Sequence, residues 1–192
     1  LRVLDHIGAN TPVFQGCSLP LSATLTPGRK PNIPSLEPNA IHGHYLDLPP
    51  ARSSKQGIAA IEWIIRSYLQ SDGDITLVPV GPLTNIALAL SLSPGVAERI
   101  KRCVIMGGTS DCYGNVTPVS EFNVWADPEA AEIVFASDLK KVMVGWDISR
   151  KYAVINDAEA AQLRAIGTEK AKIAVDSQLV VRQFCELSLI HI

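Results

Sequence analysis

Two short apolar runs, each stopped by glycine, constrain this chain more than any other feature. Ile75-Thr76-Leu77-Val78-Pro79-Val80 ends at Gly81-Pro82 and is followed by Leu83, Ile86, Ala87 and Leu90 at helical spacing. Cys103-Val104-Ile105-Met106 ends at Gly107-Gly108. A third such run spans Lys141 to Trp146, with helical patterns at Val96 to Arg102, from Asp127 to about Ser137, and from about Asn156 and Thr168. Strands too short to be helices, alternating with helices, predict an α/β fold: a three-layer open, largely parallel sheet with helices on both faces. In such sheets ligands bind beyond the carboxyl ends of the strands. The rims of a site are then Val80-Gly81-Pro82, Met106-Gly107-Gly108 and Gly145-Trp146-Asp147.

The remaining elements fit around this frame. Pro12 to Gly16 reads as a short strand, and Ile58, Ile61, Ile64, Ile65, Tyr68 and Leu69 as one helical stripe. Between them, residues 19–54 hold much of the chain's proline, an irregular connection rather than a second domain. With 192 residues, 47% of them hydrophobic, residues 1–192 are expected to form a single, partial domain around one core. The chain opens on Leu rather than Met, and its last residues are apolar without a cap, so it reads as an internal fragment.

Composition excludes several function classes. Seventeen basic against nineteen acidic residues leave a formal charge of -2, without the basic footprint of nucleic-acid binding. No run approaches the roughly 20 apolar residues of a membrane span. Cys17, Cys103, Cys112 and Cys185 are scattered, with no CxxC pair, and read as free thiols buried as small hydrophobes in a reducing, cytoplasmic setting. Neither GxGxxG nor GxxxxGK[ST] occurs.

The chemistry concentrates in Gly114 to Ala131. Asn115 and Asn123 each carry donors and an acceptor, Glu121 is acceptor-only when ionised, and sugar hydroxyls require that mixture. The same groups could equally satisfy loop backbone. Asp127-Pro128 opens a helix, Asp as N-cap and Pro in its preset first position. Phe122 and Trp125 either stack on a base or pack beneath the loop. His42 and His44 offer an acid or a metal pair but sit in the Pro-rich connection, where solvation is the simpler reading. Asp147, at a strand end, either lines the cleft or caps a turn.

Taken in order, Val78-Pro79-Val80-Gly81-Pro82-Leu83-Thr84-Asn85-Ile86-Ala87, Val104-Ile105-Met106-Gly107-Gly108, Gly114-Asn115 and Glu121-Phe122-Asn123 through Asp127-Pro128-Glu129-Ala130-Ala131 resemble the inosine/uridine-preferring nucleoside hydrolases, from about Leu1 to Tyr152. The resemblance implies that family's Rossmann-like fold, here incomplete, and hydrolysis of the N-glycosidic bond of a ribonucleoside by a water bound to Ca²⁺. It implies that Asn115 and Glu121 hold the ribose 5'-hydroxyl and Asn123 the 2'-hydroxyl, with Met106 under the sugar and Phe122 in the same loop. Val80 matches the position that gives Ca²⁺ a main-chain carbonyl, and His42 a histidine linked to protonation of the leaving base. The Gly16-Cys17 pair also matches, with a packing role. A homo-oligomer, dimer or tetramer, is implied for the full-length form.

The family's aspartate-rich metal motif falls before the start of this chain and its later His-Asp pair beyond the end, so the 192 residues alone are expected to be inactive. Ca²⁺ takes six to eight oxygens. Two other classes stand beside the enzyme: a non-catalytic ribose- or nucleoside-binding module, which would bind without metal, and a structural α/β domain whose Glu-Phe-Asn loop merely packs.

Overall fold

The computed structural model describes residues 1–22 and 48–178, which fall into two compact units. One contains Phe14–Ile33 and Gln56–Val154, the other Leu1–Val13, Pro34–Lys55 and Ile155–Ile192.

The first of these units carries a parallel sheet of three strands in the order β1 (Thr76–Leu77), β2 (Arg102–Met106) and β3 (Lys141–Val144). Thr76 is in register with Arg102, and Cys103 to Met106 with Lys141 to Val144. The strand-helix alternation is therefore real, and it has helices to feed it. α2 (Ala60–Gln70), α3 (Thr84–Leu92), α4 (Val96–Arg99) and α6 (Pro128–Ala136) form one packed set, α3 lying against both α2 and α6. Both α3 and α6 bury alanines, Ala87, Ala89, Ala130 and Ala131, small side chains that let helix axes approach closely. Leu83, Ile105, Val96 and Val134 are sealed within this core, each burial stabilising by roughly 1.5–3 kcal/mol.

Several elements are shorter than the residue pattern suggests. β1 stops at Leu77, because Pro79 has no N–H to give to a ladder. Its carbonyl still accepts from Met106 N at 3.0 Å, keeping the segment beside β2, while Val78 and Val80 face solvent, 57% and 74% exposed. Pro12 to Gly16 supplies a lone bridge, Gln15 to Ala59, instead of a strand. α4 ends at Arg99 so that β2 can begin at Arg102, and β3 ends at Val144 because Gly145 caps a further helix. Leu69 lies outside the buried stripe of α2, which rests on Ile64 and Tyr68. Two helices that the residue pattern does not announce are α5 (Phe122–Ala126) and α7 (Trp146–Tyr152).

The other unit holds α1 (Arg2–His6), α8 (Asp157–Ala165) and α9 (Glu169–Asp176). Asn156 and Glu159 form a reciprocal capping box at the start of α8, and Thr168 caps α9. His6 and Glu169 pair across α1 and α9 at 3.4 Å. Asp5 accepts from Arg52 N and Ser53 N, and the bonds from Ser53 foremost hold its carboxyl below the ordinary range. Among the described residues no helix is long and apolar enough to cross a membrane. Cys17, Cys103 and Cys112 are free thiols, but only Cys103 is buried; Cys17 is exposed and Cys112 half-buried, contrary to the expectation that all pack as hydrophobes. Cys185 lies outside the described residues.

Candidate functional site

The three strand-end rims lie side by side. Met106 N donates to Pro79 O, Gly107 N to Val144 O at 3.2 Å, and Trp146 N to Gly108 O at 2.8 Å. The loop after β2 departs from their middle, as the sequence suggests.

Glu121 is the centre of the arrangement. It ends the loop and caps α5, its Oε2 accepting from Asn123 N at 3.0 Å, the second residue of that helix. The same oxygen accepts from Gly108 N at 2.9 Å, thirteen residues back. One carboxylate oxygen thus ties the helix to the end of β2. The side chain is 2% exposed, yet Oε1 takes no hydrogen bond from the described residues. Oε1 is not among the sealed unpartnered atoms, so it stays open to solvent and to a further donor.

The two amides are held so that each keeps a group in reserve. Asn115 Oδ1 accepts from Phe122 N at 2.9 Å, leaving its NH₂ to donate elsewhere. Asn123 Nδ2 donates to Met106 O at 3.0 Å and reaches Met106 Sδ at 3.1 Å, leaving its carbonyl as an acceptor. Asn115, Glu121, Asn123, Met106 and Phe122 are thereby brought together in one bonded constellation. Phe122 and Trp125 form a tilted ring pair with centroids 6.3 Å apart, so each ring has a protein neighbour.

Between Tyr113 and Ser120 the loop closes on itself. Gly114 N donates to Pro118 O, Val116 N to Ser120 O, and Ser120 N to Thr117 O. Gly114 is required there: a Cβ would lie 2.0 Å from Ser120 O, which is backbone and cannot yield. Tyr113 to Pro118 line an open depression of about 590 Å³.

A second carboxylate stands directly after α5. Asp127 is fully buried and caps α6: Oδ1 accepts from Ala130 N at 3.1 Å, Oδ2 from Leu21 N at 3.0 Å and from the Thr84 hydroxyl. Asn85, beside Thr84, accepts from Cys17 N at 2.8 Å, and Gly16 lies so close that a Cβ there would meet the Asn85 amide at 2.6 Å. The Gly16-Cys17 pair is a backbone packing point. The residue pattern gives Asp127 its cap role but not its three-way tether, whose partners lie 43 and 106 residues away.

Val80 is 74% exposed, and among the described residues no group of three His, Cys, Asp or Glu is gathered as a metal would need. One main-chain carbonyl does not supply six to eight oxygens, so these residues do not fit a Ca²⁺ site by themselves. His42 and His44 lie outside the described residues.

The family profile described as inosine-uridine preferring nucleoside hydrolase matches residues 1–188. A pyrimidine-specific ribonucleoside hydrolase, RihB, of Escherichia coli O9:H4 (strain HS) is 39% identical over 171 residues, 87% of this chain and 51% of that protein. Among solved structures, the purine-preferring ribonucleoside hydrolase from Gardnerella vaginalis superposes with a TM-score of 0.86 at 29% identity, covering 100% of this chain and 60% of its own. A plant nucleoside hydrolase, PpNRh1, gives 0.73 at 26% identity, with 93% and 55% covered. The chain spans about half the length of the curated relatives it matches.

Proposed function

The chain belongs to the inosine-uridine preferring nucleoside hydrolase family, and from that premise we propose that the whole protein cleaves the N-glycosidic bond of ribonucleosides, releasing ribose and a free base. In this reading the stretch from Met106 to Asn123 is its ribose site. The observation that carries the assignment is the half-used carboxylate of Glu121, buried, fixed through Oε2, with Oε1 unclaimed beside two amides that each hold a group in reserve.

The groups suit a ribose. A 5'-hydroxyl can donate to Glu121 Oε1 and accept from the NH₂ of Asn115, while a 2'-hydroxyl can donate to the Asn123 carbonyl. Met106, bonded to Asn123 through its sulfur and its carbonyl, then forms the floor under the sugar. The relatives differ over the base, pyrimidine-specific in one and purine-preferring in another, which favours a shared loop that reads the sugar.

Departure of the base builds oxocarbenium charge on the ribose ring. A fixed carboxylate and fixed amide dipoles interact more strongly with that charge than with the neutral substrate, so they lower the barrier instead of merely tightening binding. Glu121 needs no rearrangement at that moment, because Gly108 N and Asn123 N already hold it. Ca²⁺ and the water that attacks belong, in this reading, to parts of the whole protein beyond these residues, and Val80 contributes at most its carbonyl. The 192-residue chain alone is then inactive. His42 as acid for the departing base, a homo-oligomeric assembly and a cytoplasmic location follow from the family resemblance and complete the proposal.

The test is substitution in the full-length protein. Glu121→Gln and Asn123→Ala are expected to lower kcat by about 10²–10³ on every ribonucleoside cleaved, the range for removing one preorganised electrostatic partner. Turnover unchanged in both variants would refute the ribose assignment.

A further inference from the structure

Among the described residues the mechanism above leaves two buried carboxylates unused, Asp127, which caps α6, and Asp147. Asp147, in the first turn of α7, is 7% exposed. Its Oδ1 lies 3.4 Å from Ser110 N and its Oδ2 3.3 Å from the Ser110 hydroxyl, 37 residues away in sequence. Both contacts are long, so neither is strong alone.

Asp147 is one of three points at which α7 grips the same short segment. Trp146 N holds Gly108 O, and Lys151 Nζ holds the Asp111 carboxylate at 2.9 Å. The Lys151 pair is exposed on both sides and contributes little. Gly145 leaves room for the buried grip: a Cβ there would sit 2.4 Å from Asp147 Oδ1 and 3.3 Å from Gly108 O. Ser110 lies between the two anchors of the sugar loop, Gly108, which Glu121 holds, and Asn115, which holds Phe122 N.

We propose that Asp147 is a positioning residue, setting through Ser110 the placement of Asn115 against Glu121 and hence the grip on the 5'-hydroxyl. It does not touch the sugar. The inference rests on the ribose reading of the previous subsection. A carboxylate that served only to stabilise α7 would, when removed, weaken all turnover evenly; a carboxylate that places Asn115 affects substrates according to whether they carry the hydroxyl.

The experiment uses the full-length protein and two substrates, whichever of uridine or inosine the wild type cleaves and its 5'-deoxy counterpart. Asp147→Ala is expected to lose about tenfold in kcat/KM on the first and far less on the second, so that discrimination for the 5'-hydroxyl collapses. Asp147→Asn, which can still accept from Ser110 N, is expected to restore most of it. Should Asp147→Ala fail to fold, Ser110→Ala, on an exposed loop residue, is expected to shift discrimination in the same direction. Parallel loss on both substrates, or no loss in either variant, would overturn the positioning role. A wild type that cleaves neither substrate, or cleaves both equally, would instead overturn the ribose reading and this inference with it.

Discussion

Two helices in succession, α5 and α6, begin with a buried carboxylate, and the two carboxylates are employed differently. Asp127 receives three hydrogen bonds over both oxygens, from Ala130 N, Leu21 N and the Thr84 hydroxyl, and is fully sealed. Glu121 receives two, both on Oε2. Glu121 caps onto the second residue of its helix and Asp127 onto the third, and one group is saturated by the fold while the other keeps an oxygen without a protein partner. Burial alone therefore does not tell the two carboxylates apart; unspent acceptor capacity does.

Measurements in the full-length protein test this contrast. Asp127→Ala leaves three donors without their acceptor and is expected to destabilise by about 4 kcal/mol, combining a lost cap with unpaired buried groups. Urea unfolding checks it, and a loss under about 1 kcal/mol would show that the tether is dispensable.

Cys103 supplies a third buried ionisable group, at the sheet instead of a helix start. Burial pushes its thiol up to about 11, against an ordinary 9.0. Its folded value lies above its unfolded one, so the stability it contributes is complete below about pH 9 and is lost as pH rises through about 11. The expected fall is about 2 kcal/mol across that window. Unfolding free energy measured from pH 8 to 11 should show less slope in Cys103→Ala, although Tyr68, raised to about 12 by its own burial, carries a similar loss at still higher pH.

The smallest effect is the most diagnostic. Glu121→Gln keeps an acceptor for Gly108 N and Asn123 N, so its cost in stability is expected to stay below about 1 kcal/mol while kcat falls steeply. If stability and turnover fell together, Glu121 would be a structural cap like Asp127.

These differences separate what the residues announce from what only packing reveals. The Asp127-Pro128 start of α6 and the Asn156 start of α8 are readable because a cap acts over three residues. α5 is not readable: five residues are too few for a helical period, and the reach of Glu121 to Gly108 spans thirteen. The parallel sense of the sheet follows from the alternation of apolar runs and helices, but β1 is curtailed by one proline in a run that otherwise looks like strand. The constellation proposed to hold ribose is legible in the sequence as a cluster of suitable residue types. That Asn115 and Asn123 spend one group each on the protein and keep the other is not, since it depends on bonds to Phe122 N and Met106 O.

Under the proposed ribose reading, the self-closed loop has a practical meaning for redesign. Position 114 admits no side chain, whereas Val116, Pro118 and Val119 present theirs outward, Val119 with 84% exposure. A library built on this segment should hold codon 114 constant and spend its diversity on those three neighbours, where new side chains can be tried against a ligand without disturbing the ring that carries them.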